Sequence, residues 1–295
     1  MIKSVEEYLD LLKTELNESD AATIQDALAD AEEHLRAALV SLREKKPEIT
    51  EEEALGQVIE QYGSPDETAS AYKEVERRTT PQFTREMPKG TTALGKFFGV
   101  YSDTRAWGAL LYMLIAFVTG VFYFTWAITG LSLSVSFSIF IFGLPFALLF
   151  LLSIQGLALL EGRIIEALLG VRMPRRPLFT EKDLKWLERL KLLALDRHIW
   201  LSILYMIVQF VFGTIYFVLF VTILSFSISF IAIPFLQEVL GMGVIMNNNI
   251  RYYFPTWSYP LLIFGGVLLW TAFMNIARGV GQLHGRLAKL MLVTD

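Results

Sequence analysis

Residues 107–129 read WGALLYMLIAFVTGVFYFTWAIT, and none of these 23 side chains is charged. About 20 apolar residues in a helix are enough to cross the hydrocarbon core of a bilayer. This stretch therefore predicts a transmembrane helix, and three further uncharged stretches do the same, at residues 139–160, 200–222 and 257–277. We expect an all-α, multi-pass protein of the cell membrane with four membrane-spanning helices.

The membrane-spanning part of the chain contains an internal repeat. Residues 103–137 and 196–230 are identical at 16 of 35 positions when the chain is shifted by 93 residues. The tails of the two units also match, LEGRIIEALL at 160–169 with LHGRLAKLML at 283–292. Self-similarity of this kind indicates a duplicated structural unit. The identical pairs include Asp103/Asp196, Trp107/Trp200, Tyr112/Tyr205, Gly120/Gly213 and Tyr123/Tyr216.

The distribution of basic residues predicts the orientation of the four helices. Segment 161–199 holds nine Lys and Arg residues, whereas 130–138 holds none and 236–256 holds one. Because cytoplasmic flanks carry the excess of Lys and Arg, we expect the middle segment and both chain termini in the cytoplasm. The two units, 101–178 and 179–295, then share one topology, as parallel repeats about an axis near the membrane normal.

Two stretches alternate serine with apolar residues, LSLSVSFSIF at 131–140 and LSFSISF at 224–230. In a strand such serines share one face, whereas in a helix residues two apart point in different directions. A lone strand in lipid would leave its backbone groups unpaired. We therefore expect 131–138 and 224–230 to pair as a short antiparallel two-stranded ribbon at the outer face.

Residues 1–79 form an acidic segment of a different kind. Residues 1–80 hold 20 Asp and Glu against 9 Lys and Arg, and the rest of the chain holds 10 against 17. Apolar residues at helical spacing predict four amphipathic helices, each too short to be stable alone, which should pack as a small cytoplasmic bundle. Thr50 and Glu53 have the spacing of a capping box at the start of the third helix. Residues 80–100 contain Thr, Pro and Gly and predict a linker and an interfacial segment.

The acidic segment resembles the HAAS domain, an α-helical signalling module of prokaryotic membrane proteins. The stretches that carry the resemblance are VEEYLDLLKTEL, DAEEHLRAAL and EEALGQVIEQYGSPDETASAY, within residues 3–75. The last is the most specific, because an apolar helix ends in Gly-Ser-Pro before a short helix. The resemblance implies a partner such as a PadR-like winged-helix transcription regulator. The chain departs from the family in a longer, Lys-Pro-containing segment before Thr50.

The membrane-spanning part resembles the sensor domain found in actinobacterial histidine kinases and in stand-alone membrane proteins. The matching stretches are YSDTRAWGALLYM, FGLPFALLFLLSIQGLALLEGR, LERLKLLALDRHIWLSILYM and LHGRLAKLML, within about residues 97–293. Their order and their repetition fit the family. The resemblance implies a sensory role but no particular ligand and no binding residues.

Composition and motifs limit the classes of function. The chain has no cysteine, which excludes thiolate metal sites, iron–sulfur clusters and cysteine catalysis. The four predicted spans hold no Asp, Glu, Lys, Arg or His, which argues against a transporter acting alone. The excess of acidic residues in the first 80 positions argues against direct binding of nucleic acid. We expect no enzyme activity, no catalytic or metal-binding residue and no cofactor.

These observations predict an integral membrane sensor that detects a membrane or envelope signal and relays it through the cytoplasmic helical domain to a protein partner. No kinase or helix-turn-helix motif is present in the sequence, so the output must act through that partner. An accessory subunit of a membrane transporter, such as an ABC transporter, is the alternative. A lipid-binding or lipid-modifying membrane protein is a second alternative. The bilayer is a partner in every case, and a homo-oligomer stays open.

Three groups of residues are candidates for functional roles. The predicted outward loop offers a candidate sensing surface, with an ordinary interfacial belt as the alternative: Asn247, Asn248, Asn249, Arg251, Tyr252 and Tyr253. Matching residues at the cytoplasmic ends of the second and fourth spans are candidates for contact with lipid head groups, with a catalytic cluster as the alternative: Glu161, Arg163, His284 and Arg286. Two carboxylates are expected as N-caps of the first and third spans, Asp103 and Asp196.

Overall fold

A computed structural model describes most of the chain, namely residues 2–46, 48–79, 92–137, 143–175, 186–241, 243, 245–247 and 250–293. The described residues are almost entirely helical. The first four helices form an N-terminal bundle: α1 (Val5–Glu15), α2 (Ala21–Lys45), α3 (Glu51–Tyr62) and α4 (Pro65–Thr79). The four helices expected in the acidic segment are therefore confirmed.

The helices of the N-terminal bundle begin at the capping residues that the sequence provides. Thr50 Oγ1 accepts from the Glu53 backbone N–H at 3.3 Å, and the Glu53 carboxylate accepts from the Thr50 backbone N–H at 3.4 Å. Ser64 and Glu67 make the same reciprocal pair at the start of α4. These bonds satisfy backbone donors that have no partner inside a helix, so each helix start is fixed locally.

The core of the N-terminal bundle is apolar with one buried phenol. Tyr8, Leu12, Leu35 and Leu55 are all fully buried within it. The Tyr8 hydroxyl lies 3.0 Å from the Gly63 carbonyl oxygen and 3.0 Å from Thr68 Oγ1. Burial raises the pKa of Tyr8, so the phenol stays protonated and can donate to the carbonyl where α3 ends.

Replacing Leu12 by alanine is expected to destabilise the N-terminal bundle by about 2–5 kcal/mol, because the lost side chain leaves a cavity among buried neighbours. Leu11, its exposed neighbour on the same helix, is the matched control. Hydrogen exchange of the α1–α4 amides in the full chain measures the effect. Equal exchange in Leu12→Ala and Leu11→Ala would contradict the assigned core.

The described residues after the N-terminal bundle form four long helices with short elements between them. A short helix and a 3-10 turn come first, α5 (Ala93–Phe98) and Gly99–Ser102. The others are α6 (Thr104–Phe137), α7 (Gly143–Leu169), α8 (Trp186–Leu195), α9 (Arg197–Leu240) and α10 (Tyr259–Leu292). Between α9 and α10 lie two short antiparallel strands, β1 (Ile245–Asn247) and β2 (Ile250–Tyr252), and a 3-10 turn, Thr256–Ser258. We call the elements from α5 to α10 the membrane unit.

Helices α6, α7, α9 and α10 are each long and apolar enough to cross a membrane. The prediction of an all-α protein with four such helices is confirmed. The helices are longer than the uncharged stretches, and α9 runs for 44 residues before it ends at Gly241. Gly241 has φ of 60° in the left-handed region, which glycine adopts at low cost at the end of a helix.

The expected two-stranded ribbon of the serine stretches is absent from the described residues. Residues 131–137 are the last two turns of α6, and 224–230 lie inside α9. Residues 138–140 lie outside the described part of the chain. A helix satisfies all of its backbone groups internally, which favours it over a strand in an apolar environment. In each stretch one serine turns toward the other helices, Ser134 and its repeat equivalent Ser227, while Ser132, Ser136, Ser225 and Ser229 are exposed.

The linker predicted at 80–100 is in part a packed segment. Residues 80–91 lie outside the described part of the chain. The α5 segment and the turn after it lie against α10, where Asn275 Nδ2 donates to the Phe97 carbonyl oxygen at 3.0 Å. The Tyr101 hydroxyl lies 2.8 Å from Thr271 Oγ1. The chain is therefore attached to α10 before it enters α6.

Helices α6 and α9 form the central pair of the membrane unit, and they meet at two glycines that are 93 residues apart. A Cβ on Gly213 would lie 2.2 Å from the Ala116 carbonyl oxygen. A Cβ on Gly120 would lie 2.8 Å from the Gln209 carbonyl oxygen. Ala116 and Gln209 are also 93 residues apart, so the two contacts are reciprocal. Small residues at such positions let the helix backbones approach closely.

Candidate functional site

One buried polar cluster joins all four long helices. The Glu161 carboxyl group of α7 accepts at Oε1 from the hydroxyl groups of Tyr112 on α6, at 2.8 Å, and Tyr205 on α9, at 3.1 Å. His284 Nε2 of α10 lies 2.7 Å from the Tyr112 hydroxyl and 3.1 Å from the Tyr205 hydroxyl. Gln209 Nε2 donates to the Tyr112 hydroxyl at 3.1 Å and to Glu161 Oε1 at 3.3 Å. We call these residues together with Tyr216 the core polar cluster.

One assignment of hydrogens satisfies these contacts. If both tyrosines donate to Glu161 Oε1, their oxygens are left as acceptors, so His284 must carry its hydrogen on Nε2. His284 Nδ1 is then an acceptor, and the Tyr216 hydroxyl lies 3.1 Å from it, in position to donate. With this assignment the imidazole donates from Nε2 and accepts at Nδ1, and its contacts hold it between α6, α9 and α10.

The core polar cluster lies toward one end of the membrane unit. Tyr112 and Tyr205 each come eight residues after the first residue of their helix. Glu161 and His284 each come eight residues before the last residue of theirs. At a rise of 1.5 Å per residue, the cluster lies about 12 Å inside the four helix ends. All of these side chains are buried, with Glu161 1% and His284 2% exposed.

The core polar cluster follows the internal repeat of the sequence. Tyr112 and Tyr205 occupy equivalent positions, and so do Glu161 and His284 in the aligned tails. Tyr216 contacts His284 Nδ1, and its equivalent Tyr123 is a buried tyrosine on α6. Among the described residues neither the Tyr123 hydroxyl nor Glu161 Oε2 has a hydrogen-bond partner. The cluster is thus nearly symmetric but carries an acid on one side and an imidazole on the other.

The structure changes the interpretation of the four residues proposed for head-group contact. Glu161 and His284 are buried in the interior of the membrane unit, so their side chains are not on its surface. Arg163 is exposed and pairs with Glu166 at 3.2 Å, and Arg286 is exposed on α10. Residues two apart in a helix point in nearly opposite directions, which separates each acid or imidazole from its arginine. The structure therefore does not bring the four side chains together in one cluster.

A family described as "Putative sensor" has a model that matches residues 112–292, more than half of the chain. The chain belongs to this sensor family. The matched range contains every residue of the core polar cluster, and it leaves the N-terminal bundle outside. No curated protein and no solved structure matches the chain.

The two expected helix caps of the membrane unit make equivalent contacts. Asp103 Oδ1 accepts from the Arg105 backbone N–H at 3.0 Å, and Asp196 Oδ1 accepts from the His198 backbone N–H at 2.9 Å. Asp103 Oδ2 also pairs with Arg278 of α10 at 3.0 Å. Each carboxylate therefore anchors the start of a long helix, where it also interacts favourably with the helix dipole.

The two tryptophans that follow the caps are equivalent as well. Trp107 Nε1 donates to the Tyr101 carbonyl oxygen at 3.0 Å, and Trp200 Nε1 donates to the Ala194 carbonyl oxygen at 2.8 Å. Both rings are about half exposed. They are placed as an aromatic belt would require, with the polar edge bonded to the chain and the ring toward the surroundings.

The candidate sensing surface lies between α9 and α10. Asn247 is in β1 and Arg251 and Tyr252 are in β2, while Asn248 and Asn249 lie outside the described residues. The side chain of Tyr253 is described, and its hydroxyl donates to the Gly241 carbonyl oxygen at 3.1 Å. The described part of the loop is thus a short hairpin attached to the end of α9.

The N-terminal bundle contacts the membrane unit through α2. Asp20 forms an ion pair with Lys289 near the end of α10. Asp26 Oδ1 accepts from the Arg175 backbone N–H, beyond the end of α7, at 2.6 Å. Ala21 packs against the apolar core of the membrane unit. The sequence offered no signal for this contact, because carboxylates on an amphipathic helix ordinarily face solvent.

A cavity of about 60 Å³ lies where α2 meets α7 and α9. Space of this size accommodates a few water molecules. The polar residues that line the cavity are Gln25, Gln155, Asp196, His198 and Ser202. In the described part of the chain no group of three or more His, Asp or Glu side chains could hold a metal ion.

Proposed function

We propose that this protein is an integral membrane sensor that relays the state of its membrane unit, through the N-terminal bundle, to a protein partner. The observation that carries the proposal is the core polar cluster, in which one set of hydrogen bonds connects all four long helices. The membership of the sensor family supports the same function. We propose a location in the cell membrane with both termini in the cytoplasm, because the basic residues concentrate in 161–199.

The core polar cluster is suited to a two-state response. Hydrogen bonds in a buried, weakly polarisable environment are strong when complete and costly when broken. A shift of one helix removes several of these bonds at once, so the four helices favour discrete arrangements over gradual deformation. A ligand or a change in the bilayer can then act by favouring one arrangement.

The N-terminal bundle is suited to deliver the output. Its net charge of −11 follows from 20 acidic and 9 basic residues in positions 1–80, and the resemblance to the HAAS domain points to a winged-helix partner of the PadR-like type. Such an acidic surface fits a basic protein surface. In this proposal the protein has no enzymatic activity of its own, and it needs no cofactor.

The partner can be captured by a photo-crosslinking residue placed at Val40, which is 52% exposed on α2 of the N-terminal bundle. The matched control is the same photo-crosslinking residue placed at Leu149, which is 66% exposed on the long apolar helix α7. Crosslinking in intact cells is expected to recover a transcription regulator from position 40 only. An ABC transporter subunit at position 40 would instead favour an accessory role. Recovery of the same proteins from both positions would contradict the relay through the bundle.

We propose the hairpin between α9 and α10 as the outward sensing surface. Replacing Asn247–Asn249 and Arg251 with serine is expected to reduce the response to agents that act outside the cell by at least fivefold. Loss of amide and guanidinium hydrogen bonds to a ligand is the reason for this expectation. Transcript levels of the partner's target genes provide the measurement. Trp257→Phe, at an exposed aromatic residue of the 3-10 turn before α10, is the control. A full response in the quadruple variant would identify the loop as an ordinary interfacial belt.

A further inference from the structure

The first turns of α2 face the membrane unit and contribute little to the core of the N-terminal bundle. Ala22 and Thr23 are fully buried and Gln25 is 6% exposed. None of the three belongs to the apolar core that Ala27, Ala31 and Leu35 form with the other bundle helices. Next to them, Ala21 packs against the apolar core of the membrane unit, and Gln25 shares a cavity with residues of α7 and α9. We call residues 20–26 the α2 face.

The α2 face is held by charged contacts at both of its ends. At one end Asp20 pairs with Lys289, and at the other end Asp26 accepts from the backbone of Arg175. Asp20 is also fixed within its own bundle, because it caps α2 through the Ala22 N–H at 2.9 Å and its backbone N–H donates to Glu76 at 3.1 Å. A displacement of α10 therefore acts directly on a rigid part of the bundle.

One contact point, Lys289, lies on a helix of the core polar cluster, and the other, Arg175, pairs with a residue on such a helix. Lys289 comes five residues after His284, and its repeat equivalent Glu166 comes five residues after Glu161. Glu166 pairs with Arg175 at 3.5 Å, next to the backbone group that binds Asp26. One and a half turns of continuous helix thus separate each buried member of the cluster from the surface that holds α2.

The interface at the α2 face is polar and incompletely bonded. Thr23 Oγ1 is buried and has no hydrogen-bond partner among the described residues. A buried polar atom without a partner destabilises the packing that buries it. Polar interfaces between domains of one chain generally permit the domains to separate. The cavity beside Gln25 adds to this incomplete packing. These features fit an interface that opens more readily than a closely packed apolar interface would.

We propose that the α2 face is a shared docking surface, covered by the membrane unit in one state and bound by the basic surface of a protein partner in the other. This inference rests on the proposed function. Charge complementarity decides the occupant, since the membrane unit meets Asp20 with an ammonium group. A partner that replaces the membrane unit must supply cations to the same carboxylates.

A single cysteine can report on the α2 face, because the chain has no cysteine of its own. Thr23→Cys is close in size and fully buried in the closed state. The full chain, in nanodiscs of phosphatidylcholine, is treated with a water-soluble maleimide. Lys289→Glu is expected to increase the labelling rate of Cys at position 23 at least tenfold, whereas Lys289→Arg keeps it protected. Ala31→Cys in the bundle core reports unfolding and should stay protected in every variant.

The chemistry of the partner is tested with an oligolysine peptide as the probe. Oligolysine is expected to accelerate labelling at position 23 of the otherwise unchanged chain, and an oligoglutamate peptide of equal length is not. Continued protection in Lys289→Glu, or equal effects of the two peptides, would overturn the shared docking surface. Neither result depends on capture of a partner in cells, so a failure here is separate from a failure of the proposed sensor function.

Discussion

Gly213→Ala is expected to abolish the folded membrane unit or to lower its stability by about 3 kcal/mol or more. The new Cβ would lie 2.2 Å from the Ala116 carbonyl oxygen and 2.7 Å from its carbon. Both are backbone atoms, so α6 and α9 must move apart along their whole contact. The fraction of monodisperse protein after heating in detergent, measured by size-exclusion chromatography, gives the loss of stability.

Two other glycines provide a graded control for this prediction. Gly120→Ala should be less severe, because its Cβ would lie 2.8 Å from the nearest backbone oxygen. Gly156→Ala on α7 has no atom within 4 Å and should be neutral or slightly stabilising, since alanine favours a helix. Equal stability of Gly213→Ala and Gly156→Ala would contradict the close crossing of α6 and α9.

Glu161→Ala is expected to have the second largest effect, a loss of about 3 kcal/mol or more. The substitution removes the oxygen that accepts from Tyr112, Tyr205 and Gln209, and it leaves three buried donors without that acceptor. Glu161→Gln retains a carbonyl oxygen and the side-chain volume, so its loss should be much smaller. The same heating experiment measures both variants.

Leu149→Ala on the same helix is the control for Glu161→Ala, because this side chain is largely exposed on α7. A neutral result is expected for it in the heating experiment. If Glu161→Ala were as stable as Leu149→Ala, the hydrogen bonds of the core polar cluster would not hold the four helices together.

The fold was predictable where the hydrophobic pattern was long and uninterrupted. The uncharged runs located all four long helices, and the capping pattern of Thr50 and Glu53 located the start of α3. The serine stretches were misinterpreted because period-two alternation normally marks a strand. In an apolar environment the need to hydrogen-bond every backbone N–H and C=O group outweighs that pattern and favours a helix. One serine in each stretch, Ser134 or Ser227, faces the neighbouring helices.

The core polar cluster was only partly predictable. Glu161 and His284 stood out as matching positions, but their neighbours Arg163 and Arg286 were grouped with them by proximity in sequence. Helical geometry alone would have separated Glu161 from Arg163 and His284 from Arg286, because residues two apart in a helix point in nearly opposite directions. The convergence of Tyr112 and Tyr205 was harder to predict, because α6 and α9 are apolar on all sides and their inward faces carry no amphipathic signal.

The docking of the N-terminal bundle could not be predicted from the sequence. Asp20 and Asp26 are two of many carboxylates on amphipathic helices, and such residues usually face solvent. Only the packed structure shows that Asp20, Ala21 and Asp26 contact the membrane unit. Long-range contacts of this kind depend on the placement of whole helices, which local spacing does not determine.

One experiment that links the core polar cluster to the α2 face tests the relay from the membrane unit to the N-terminal bundle most directly. The labelling rate of Thr23→Cys is compared in the otherwise unchanged full chain and in chains that also carry Glu161→Gln or Leu149→Ala. We predict that Glu161→Gln changes the rate at least threefold, that Leu149→Ala leaves it unchanged, and that Ala31→Cys stays protected throughout. An unchanged rate in folded Glu161→Gln protein would contradict a relay from the membrane unit to the N-terminal bundle.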